Sequence, residues 1–337
     1  MTKQLRRVAI IGGGITGLAA AYHLQQQAYA QSLPLEIVLI ESFHRFGGKI
    51  HTVLEDDFVI EKGPESFVDR HGIIENLSRS LGIENLLLHS VREDSFVAVN
   101  EDLYALPKGV VLGVPTQMKP FMASDLVSWS GKARATLDFL LPLKQANEDQ
   151  SLGRLMRKRF GIEVVENIVE PLMSGTFNGD IDELSYEATF PFLQNDQSKR
   201  SKGLIKGVGA YTRQSDSMQL SRQRSTFLGG MSVLIDELVK QLTDVKLVKG
   251  VRASSIQKVG DKLILSLNND TSIKVDGIII AAPHTIAQQL VEEKNLLSNL
   301  VDIPLNTVAT VTMVFDEQQL PADFQGTDIY VSRNSDV

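Results

Sequence analysis

Gly12-Gly13-Gly14-Ile15-Thr16-Gly17, Glu41 and Gly47-Gly48-Lys49 are the residues whose types and spacing could do chemistry. Gly12, Gly14 and Gly17 fill the three positions of G-x-G-x-x-G. The first glycine permits a tight turn, the second lets a pyrophosphate approach the backbone, and the third lets helix and strand pack closely. A helix starting at Ile15 and Thr16 would offer free N–H groups and partial positive charge to phosphates. Glu41 would accept hydrogen bonds from an adenosine ribose and disfavour a 2′-phosphate. An ordinary glycine turn accounts for the glycines alone, but not for strand, helix and acid together. NAD and FAD both fit such a unit.

These residues need a βαβ frame to hold them. Val8-Ala9-Ile10-Ile11 reads as a buried parallel strand, and Leu18 to Gln27 as a helix rich in Ala and Leu. Leu35 to Ile40 reads as a second strand that ends in Glu41. The polar stretch from Gln25 to Pro34 lengthens the connection between them.

Composition narrows the class. The chain has 337 residues, enough for about two domains. Apolar residues make up 43% and charged residues 22%, the balance of a soluble globular protein. The net charge of −7 argues against a general nucleic-acid binder. There are no cysteines, which removes disulfides, thiol nucleophiles and Cys-based metal sites and fits a cytoplasmic protein. The histidines lie far apart and form no ligand pair, so no metal is expected. The apolar run at Val8 is too short for a signal peptide, and no stretch approaches the ~18 apolar residues of a spanning helix. A soluble protein with at most peripheral membrane contact is expected.

Several further segments carry a family resemblance. Glu41-Ser42-Phe43-His44-Arg45-Phe46-Gly47-Gly48-Lys49 resembles the E-x(5)-G-G-[RK] extension of the flavin amine oxidase and protoporphyrinogen oxidase superfamily. Gly63-Pro64-Glu65-Ser66-Phe67 looks like the loop that passes the flavin ring in the protoporphyrinogen oxidase branch. The segment from Glu170-Pro171 through Gly175, Phe177 and Gly179-Asp180 resembles E-P-x-x-x-G-x-[YF]-x-G-D of porphyrinogen oxidases, continued by Leu184-Ser185, Ala188 and Phe190-Pro191. Phe227-Leu228-Gly229-Gly230-Met231 is similar to the F-x-G-G-M step back into the FAD domain. Ala253-Ser254-Ser255-Ile256 is similar to the V-x-x-I strand start, with Ala for the commoner Val. The motifs run in family order over essentially the whole chain. They point most closely to the coproporphyrinogen/protoporphyrinogen oxidases of Gram-positive-type bacteria.

The resemblance implies an α/β fold: a Rossmann-like (GR2-type) FAD-binding domain with an interleaved α+β substrate domain. The FAD-binding domain would span 1–75 and 222–290. The substrate domain, with a helical insertion, would span 76–221 and 291–337. FAD would be held by Gly12, Gly13, Gly14, Ile15, Thr16, Gly17, Glu41, Ser42, Gly48, Lys49, Gly63, Pro64, Glu65, Ser66 and Ala253. Substrate contacts would come from Arg70, His71, Gly175, Thr176, Phe177 and Asn178. The implied reaction is oxygen-dependent oxidation of coproporphyrinogen III to coproporphyrin III in haem biosynthesis. Hydride passes to FAD and H2O2 forms on reoxidation. No catalytic side chain is implied, because the cofactor carries the hard step. The implied partners are an anionic tetrapyrrole, molecular oxygen and downstream haem-pathway enzymes. Protoporphyrinogen IX oxidase, another flavin amine oxidase or desaturase, and a non-catalytic flavoprotein fragment are the alternatives. Family members continue into more substrate domain and a last Gly-rich FAD segment, so a chain ending at Val337 reads as truncated.

Elsewhere the pattern is coarser. Ile73 to Leu81 reads as a helix stopped by Gly82, and Met122 to Leu140 as mostly helical, with Trp129 packing rather than stacking on a ligand. Ser151 to Phe160 and Ile162 to Leu172 read as helices split by Gly161, with Ser151 as cap. Arg154, Arg157, Lys158 and Arg159 would form a solvated basic face. Asn195 to Ser225, with Lys199, Arg200, Lys202, Lys206, Arg213, Arg222 and Arg224, reads as a mobile loop. Leu263 to Leu267 and Ser272 to Val275 read as a hairpin, and Val308 to Phe315 as a strand.

Overall fold

Arg6–Ile11 forms β1, Ile15–Ala30 forms α1 and Leu35–Glu41 forms β2, the βαβ order expected. The computed structural model describes residues 5–69, 72–90, 94–141, 149–194, 203–214, 224–291, 293, 296–300, 302–319, 326–333 and 335. β1 and β2 pair in parallel, with Val8 opposite Ile37 and Ile11 opposite Ile40. The strand Val245–Lys249 extends the sheet beyond β2, and Gly277–Ile280 extends it beyond β1, both in parallel. Ile11, Glu41, Lys249 and Ile280 therefore end along one carboxyl edge. That edge is where open α/β sheets bind ligands.

Strand alternation sorts the side chains onto two cores. Ile10, Ile37 and Leu39 pack with Leu18 and Ala21 of α1 and with Leu234, Ile235 and Leu238 of the helix Ser232–Gln241. Ala9, Ile11, Val38 and Ile40 pack with Leu265, Leu267 and Val275 of an antiparallel three-stranded sheet. Its strands are Ala253–Val259, Lys262–Leu267 and Ser272–Val275. Burial on both faces explains why β1 and β2 read as unbroken apolar runs. The hairpin expected after Leu267 is present, with Ser266 opposite Ser272 and Asp270 at φ 60°.

The chain divides into two compact units. The first holds Met1–Ser90, Ser221–Leu305 and Ala309–Thr312, and the second holds Val91–Leu220, Asn306–Val308 and Met313–Val337. The units interleave, but the first change falls at Ser90, not at 75. The cause is local. The helix Ile73–Leu81 adds Leu77 and Leu81 to the first unit's core, and Leu87–His89 pairs with Arg224–Phe227. The return likewise runs on to Leu305, because the helix His284–Leu290 buries Leu290 in the other core of that unit.

The second unit has a helical core with Phe121, Phe160, Ile168 and Phe190 fully buried. A small sheet orders Gly326–Val331, Asp94–Val99 and Asp102–Ala105. Ser151 caps Leu152–Phe160 as expected, its hydroxyl accepting the Arg154 N–H at 3.2 Å, and Gly161 breaks the helix at φ 88°.

Five expectations change here. Helix continues from Ile162 through a π-helical stretch, Val165–Val169, into Glu170–Phe177, passing Gly175. Met122 to Leu140 is mostly helical as expected, in Met118–Ala123, Trp129–Thr136 and the 3-10 turn Leu137–Leu140, but Trp129 is 72% exposed with the Lys132 ammonium over its ring. Arg159 is buried, not solvated, and pairs with Asp138 at 3.1 Å. Within the expected loop, Leu204–Gln214 is a helix whose Leu204, Ile205 and Val208 enter the core. Lys199, Arg200, Lys202 and Arg222 lie outside the described residues. Val308 to Phe315 forms no strand, and Val311 and Met313 are exposed. β-Branched composition favours a strand only where a neighbouring strand completes the ladder.

Candidate functional site

The glycine loop sits at the carboxyl edge of the first unit, between β1 and α1. Gly12 donates its N–H to Ile40 O at 2.9 Å and turns at φ 108°. A Cβ there would stand 2.5 Å from Ala281 O, and one on Gly17 would stand 1.9 Å from Gly12 O. Both glycines are thus required for the fold itself. Gly14 differs, because a Cβ there would meet only Gly48 Cα, at 3.9 Å. Gly14 precedes α1, whose first turn carries no acid and whose start receives no side-chain cap, so its N–H groups are left to a ligand. Ile15 opens that turn, and the exposed Thr16 follows.

Glu41 is buried at the end of β2 and ties the loop down. Its carboxylate accepts the Gly13 N–H at 2.6 Å, the Phe43 N–H at 2.7 Å and the Ser42 hydroxyl at 3.1 Å. Gly47 donates its N–H to Gly13 O at 2.8 Å. Gly48, at φ 59°, lies so close that a Cβ would stand 3.1 Å from Gly14 Cα. The exposed Lys49 follows. Arg45 braces this turn from outside, donating to Gly48 O at 2.7 Å, Ile50 O at 3.1 Å and Phe46 O at 3.3 Å. The sequence signal for Arg45 was its place inside the motif, but nothing local named the carbonyls it would meet. Val251 donates to Glu41 O at 3.1 Å and Gly250 to Phe43 O at 3.0 Å, which sets the buried Ala253 beside the same edge.

The Gly63 loop joins through its first residue. Its approach is so close that a Cβ on Gly63 would stand 1.9 Å from Lys49 O. The loop follows the hairpin of β3, Thr52–Glu55, and β4, Phe58–Glu61. Glu61 anchors that hairpin: its carboxylate accepts the Thr52 hydroxyl at 2.9 Å and the Met231 N–H at 2.6 Å. Ser232 and Thr52 exchange two further bonds, each N–H donating to the other's hydroxyl at 2.9 Å. The Gly229-Gly230 step is thereby fastened to the hairpin. Pro64 and Glu65 are exposed and Ser66 is half-buried, with Glu65 O accepting the Thr226 hydroxyl at 2.9 Å. Burial, then Arg45 and Lys62, lower the His51 imidazole below its ordinary 6.5.

The sequence-derived set therefore divides in three. Gly12, Gly13, Gly14, Gly17, Glu41, Ser42, Gly48, Lys49 and Gly63 form one chain of contacts, and Ala253 is tied to it through Val251. Gly175, Thr176, Phe177 and Asn178 lie in the second unit, at the end of the helix Glu170–Phe177. Asn178 stops that helix in the left-handed region at φ 51°. Arg70 and His71 lie outside the described residues. A surface depression lined by Leu5, Tyr29, Pro34 and Asp244 lies at the opposite, amino end of the sheet and includes none of these residues.

The second unit also shows a charged clamp that the sequence did not reveal. Arg333 Nε meets the buried Glu170 carboxylate at 2.6 Å, and its Nη2 meets Asp180 at 3.3 Å. Burial opposes the Arg333 charge, but Glu170 and Asp180 outweigh it and raise its pKa.

The arrangement in the first unit fits an adenine dinucleotide. Gly14 leaves a cradle that any Cβ would narrow, the first turn of α1 adjoins it with no side-chain cap, and a buried acid ends β2. The family model for flavin containing amine oxidoreductase matches residues 15–337. The chain is 41% identical over 341 residues to coproporphyrinogen III oxidase of Bacillus subtilis (strain 168), covering 100% of this chain and 72% of that one. It is 34% identical over 356 residues to coproporphyrinogen III oxidase of Staphylococcus aureus, covering 100% and 72%. A crystal structure from Exiguobacterium sp. 255-15, described as a protoporphyrinogen oxidase, aligns with a TM-score of 0.72 at 31% identity. That match covers 85% of this chain and 61% of the other, so the chain spans less than two thirds of it. No helix among the described residues is long and apolar enough to cross a membrane. The chain belongs to the family of flavin containing amine oxidoreductases.

Proposed function

We propose that this chain carries the FAD-binding and substrate-binding residues of a coproporphyrinogen III oxidase, acting in the cytoplasm with molecular oxygen as acceptor. The observation that carries the cofactor assignment is the contrast within the glycine loop. Gly12 and Gly17 are blocked by backbone, whereas Gly14 is open beside Gly48. The substrate assignment is supported by identity over the whole chain to the Bacillus and Staphylococcus enzymes.

In this reading Gly12, Gly13, Gly14, Gly17 and the first turn of α1, with Ile15 and Thr16, hold the diphosphate. Gly48 and Lys49 approach it from the facing turn. Glu41, flanked by Ser42, takes the ribose, and the backbone at Ala253 takes the adenine. Gly63, Pro64, Glu65 and Ser66 run beside the ring system. Bound FAD would supply the two-electron acceptor for the macrocycle, with oxygen regenerating it and H2O2 released. The protein binds, orients and excludes water, so no strong side-chain base is needed. In the second unit Gly175, Thr176, Phe177 and Asn178 form substrate wall, and Arg70 and His71 are the proposed propionate contacts. Enzymes that consume the porphyrin are the expected pathway partners.

Mixing FAD-loaded protein with coproporphyrinogen III in the absence of oxygen tests this reading. Loss of the flavin's visible absorbance is expected, and unchanged absorbance would overturn it. Bleaching by protoporphyrinogen IX but not by coproporphyrinogen III would move the assignment to the other porphyrinogen.

A further inference from the structure

Glu170 and Asp180 lie ten positions apart, and both carboxylates meet one guanidinium. Glu170 is buried and pairs with Arg333 Nε at 2.6 Å, while Asp180 takes Nη2 at 3.3 Å. Ser174, one turn along the helix, donates its hydroxyl to Glu170 at 2.7 Å. Asp180 in turn accepts the Asp182 N–H at 2.9 Å, and Asp182 pairs with Arg157. The residue before Arg333 adds a parallel tie, because the Ser332 hydroxyl donates to Glu166 O at 3.0 Å. Glu166 and Glu170 lie one helical turn apart, so residues 332 and 333 grip one face of the helix.

The residues bracketed by this clamp are those that end the helix. Gly175 packs under the Tyr330 ring, where a Cβ would stand 3.4 Å from two ring carbons. Asn178 holds the left-handed stop at φ 51°, and its carbonyl accepts the Asn306 amide. A non-glycine residue in that region costs conformational energy and persists only where surrounding contacts over-determine it. Phe177 and Asn178 are exposed, so the strain is not held by burial. It is held by the Asn306 amide at Asn178 itself and, at the two flanks, by Glu170 and Asp180 on a common cation.

We infer that Arg333 is a positioning residue that sets the geometry of the Gly175–Asn178 turn toward the tetrapyrrole. This rests on the proposed role of that turn as substrate wall. Arg333 acts through Glu170 and Asp180. A planar guanidinium suits the task because it offers separate donors to two carboxylates in a fixed fork.

Three variants test the role: Arg333→Met, Arg333→Lys and the double variant Glu170→Gln with Arg333→Met. The single Met variant strands the buried Glu170 charge, and the double variant removes that stranded charge. Coproporphyrin III affinity is read by fluorescence polarisation, and hydrogen exchange is read at the amides of 177–179. Both Met-containing proteins should bind coproporphyrin III about tenfold more weakly and exchange faster at those amides. The double variant should regain melting temperature but not affinity, and Arg333→Lys should recover part of both. Wild-type affinity in the double variant would overturn the inference, since the clamp would then serve stability alone. If wild-type protein itself fails to bind coproporphyrin III, the functional reading fails. Exchange at 177–179 then decides the clamp: unchanged exchange in both Met-containing proteins would overturn it.

Discussion

The Glu41 carboxylate accepts the backbone N–H of Gly13 at 2.6 Å. The acid at the end of β2 is therefore tied to the loop it serves. Two more bonds, from Phe43 N–H and Ser42, hold it buried at that edge. Glu41→Gln keeps the shape but removes the charge that strengthens these bonds. Hydrogen bonds to charged groups contribute roughly 1.5–3 kcal/mol, so FAD affinity should fall by about 10- to 100-fold. Titration by flavin fluorescence checks this, and an unchanged Kd would show that Glu41 does not shape the site.

Gly14 and Gly17 should respond differently to the same substitution. A Cβ on Gly17 would collide with Gly12 O at 1.9 Å, whereas one on Gly14 has open space on every side but Gly48. Gly17→Ala should therefore unfold or strongly destabilise the first unit. Gly14→Ala should fold with a melting temperature close to wild type and still lose FAD affinity. Equal loss of stability in the two proteins would contradict the proposed cradle.

Glu61 is a long-range cap. Its carboxylate receives the Met231 N–H at the start of the helix Ser232–Gln241. Glu61→Ala should cost about 1–2 kcal/mol, the usual size of a lost cap. Urea unfolding measures it, with the exposed Glu55→Ala as control. A cost no larger than the control's would remove Glu61 from the account.

Asp138 makes stability depend on pH. Burial raises its pKa above the ordinary 3.8, although the Ile205 N–H and Arg159 work against the rise. The folded protein thus holds the proton more tightly than the unfolded chain. The stabilisation is full below 3.8 and is lost as pH climbs through the raised folded value. Asp138→Asn stays neutral throughout. The stability of wild type relative to this variant should fall as pH rises from 3.8 and then level off. A relative stability that grows with pH would mean that Arg159 dominates.

The dinucleotide edge was legible because its signals are local. Glycine spacing, two β-branched runs and an acid after the second run are all read within 41 residues. The hairpin at Asp270 and the cap at Ser151 were legible for the same reason. Contacts that join distant segments were not. Arg45 aims at backbone carbonyls, Glu61 caps a helix that starts at Ser232, and Arg333 pairs with Glu170. None of these leaves a pattern in sequence. The helix Leu204–Gln214 was hidden by the charged residues around its apolar stripe. A basic run on a helix is normally solvated, and Arg159 departs from that pattern because distant groups, the Asp138 carboxylate and the Leu141 carbonyl, take its guanidinium. Val308 to Phe315 has strand composition, but composition cannot supply the neighbouring strand.

Porphyrin formation in air tests the central claim most directly. The chain is loaded with FAD and given coproporphyrinogen III or protoporphyrinogen IX, and porphyrin fluorescence is followed against an FAD-free control. FAD-dependent formation of coproporphyrin III is the predicted result, with kcat/KM higher than for protoporphyrinogen IX. FAD-loaded protein that forms neither porphyrin faster than the uncatalysed reaction would contradict it.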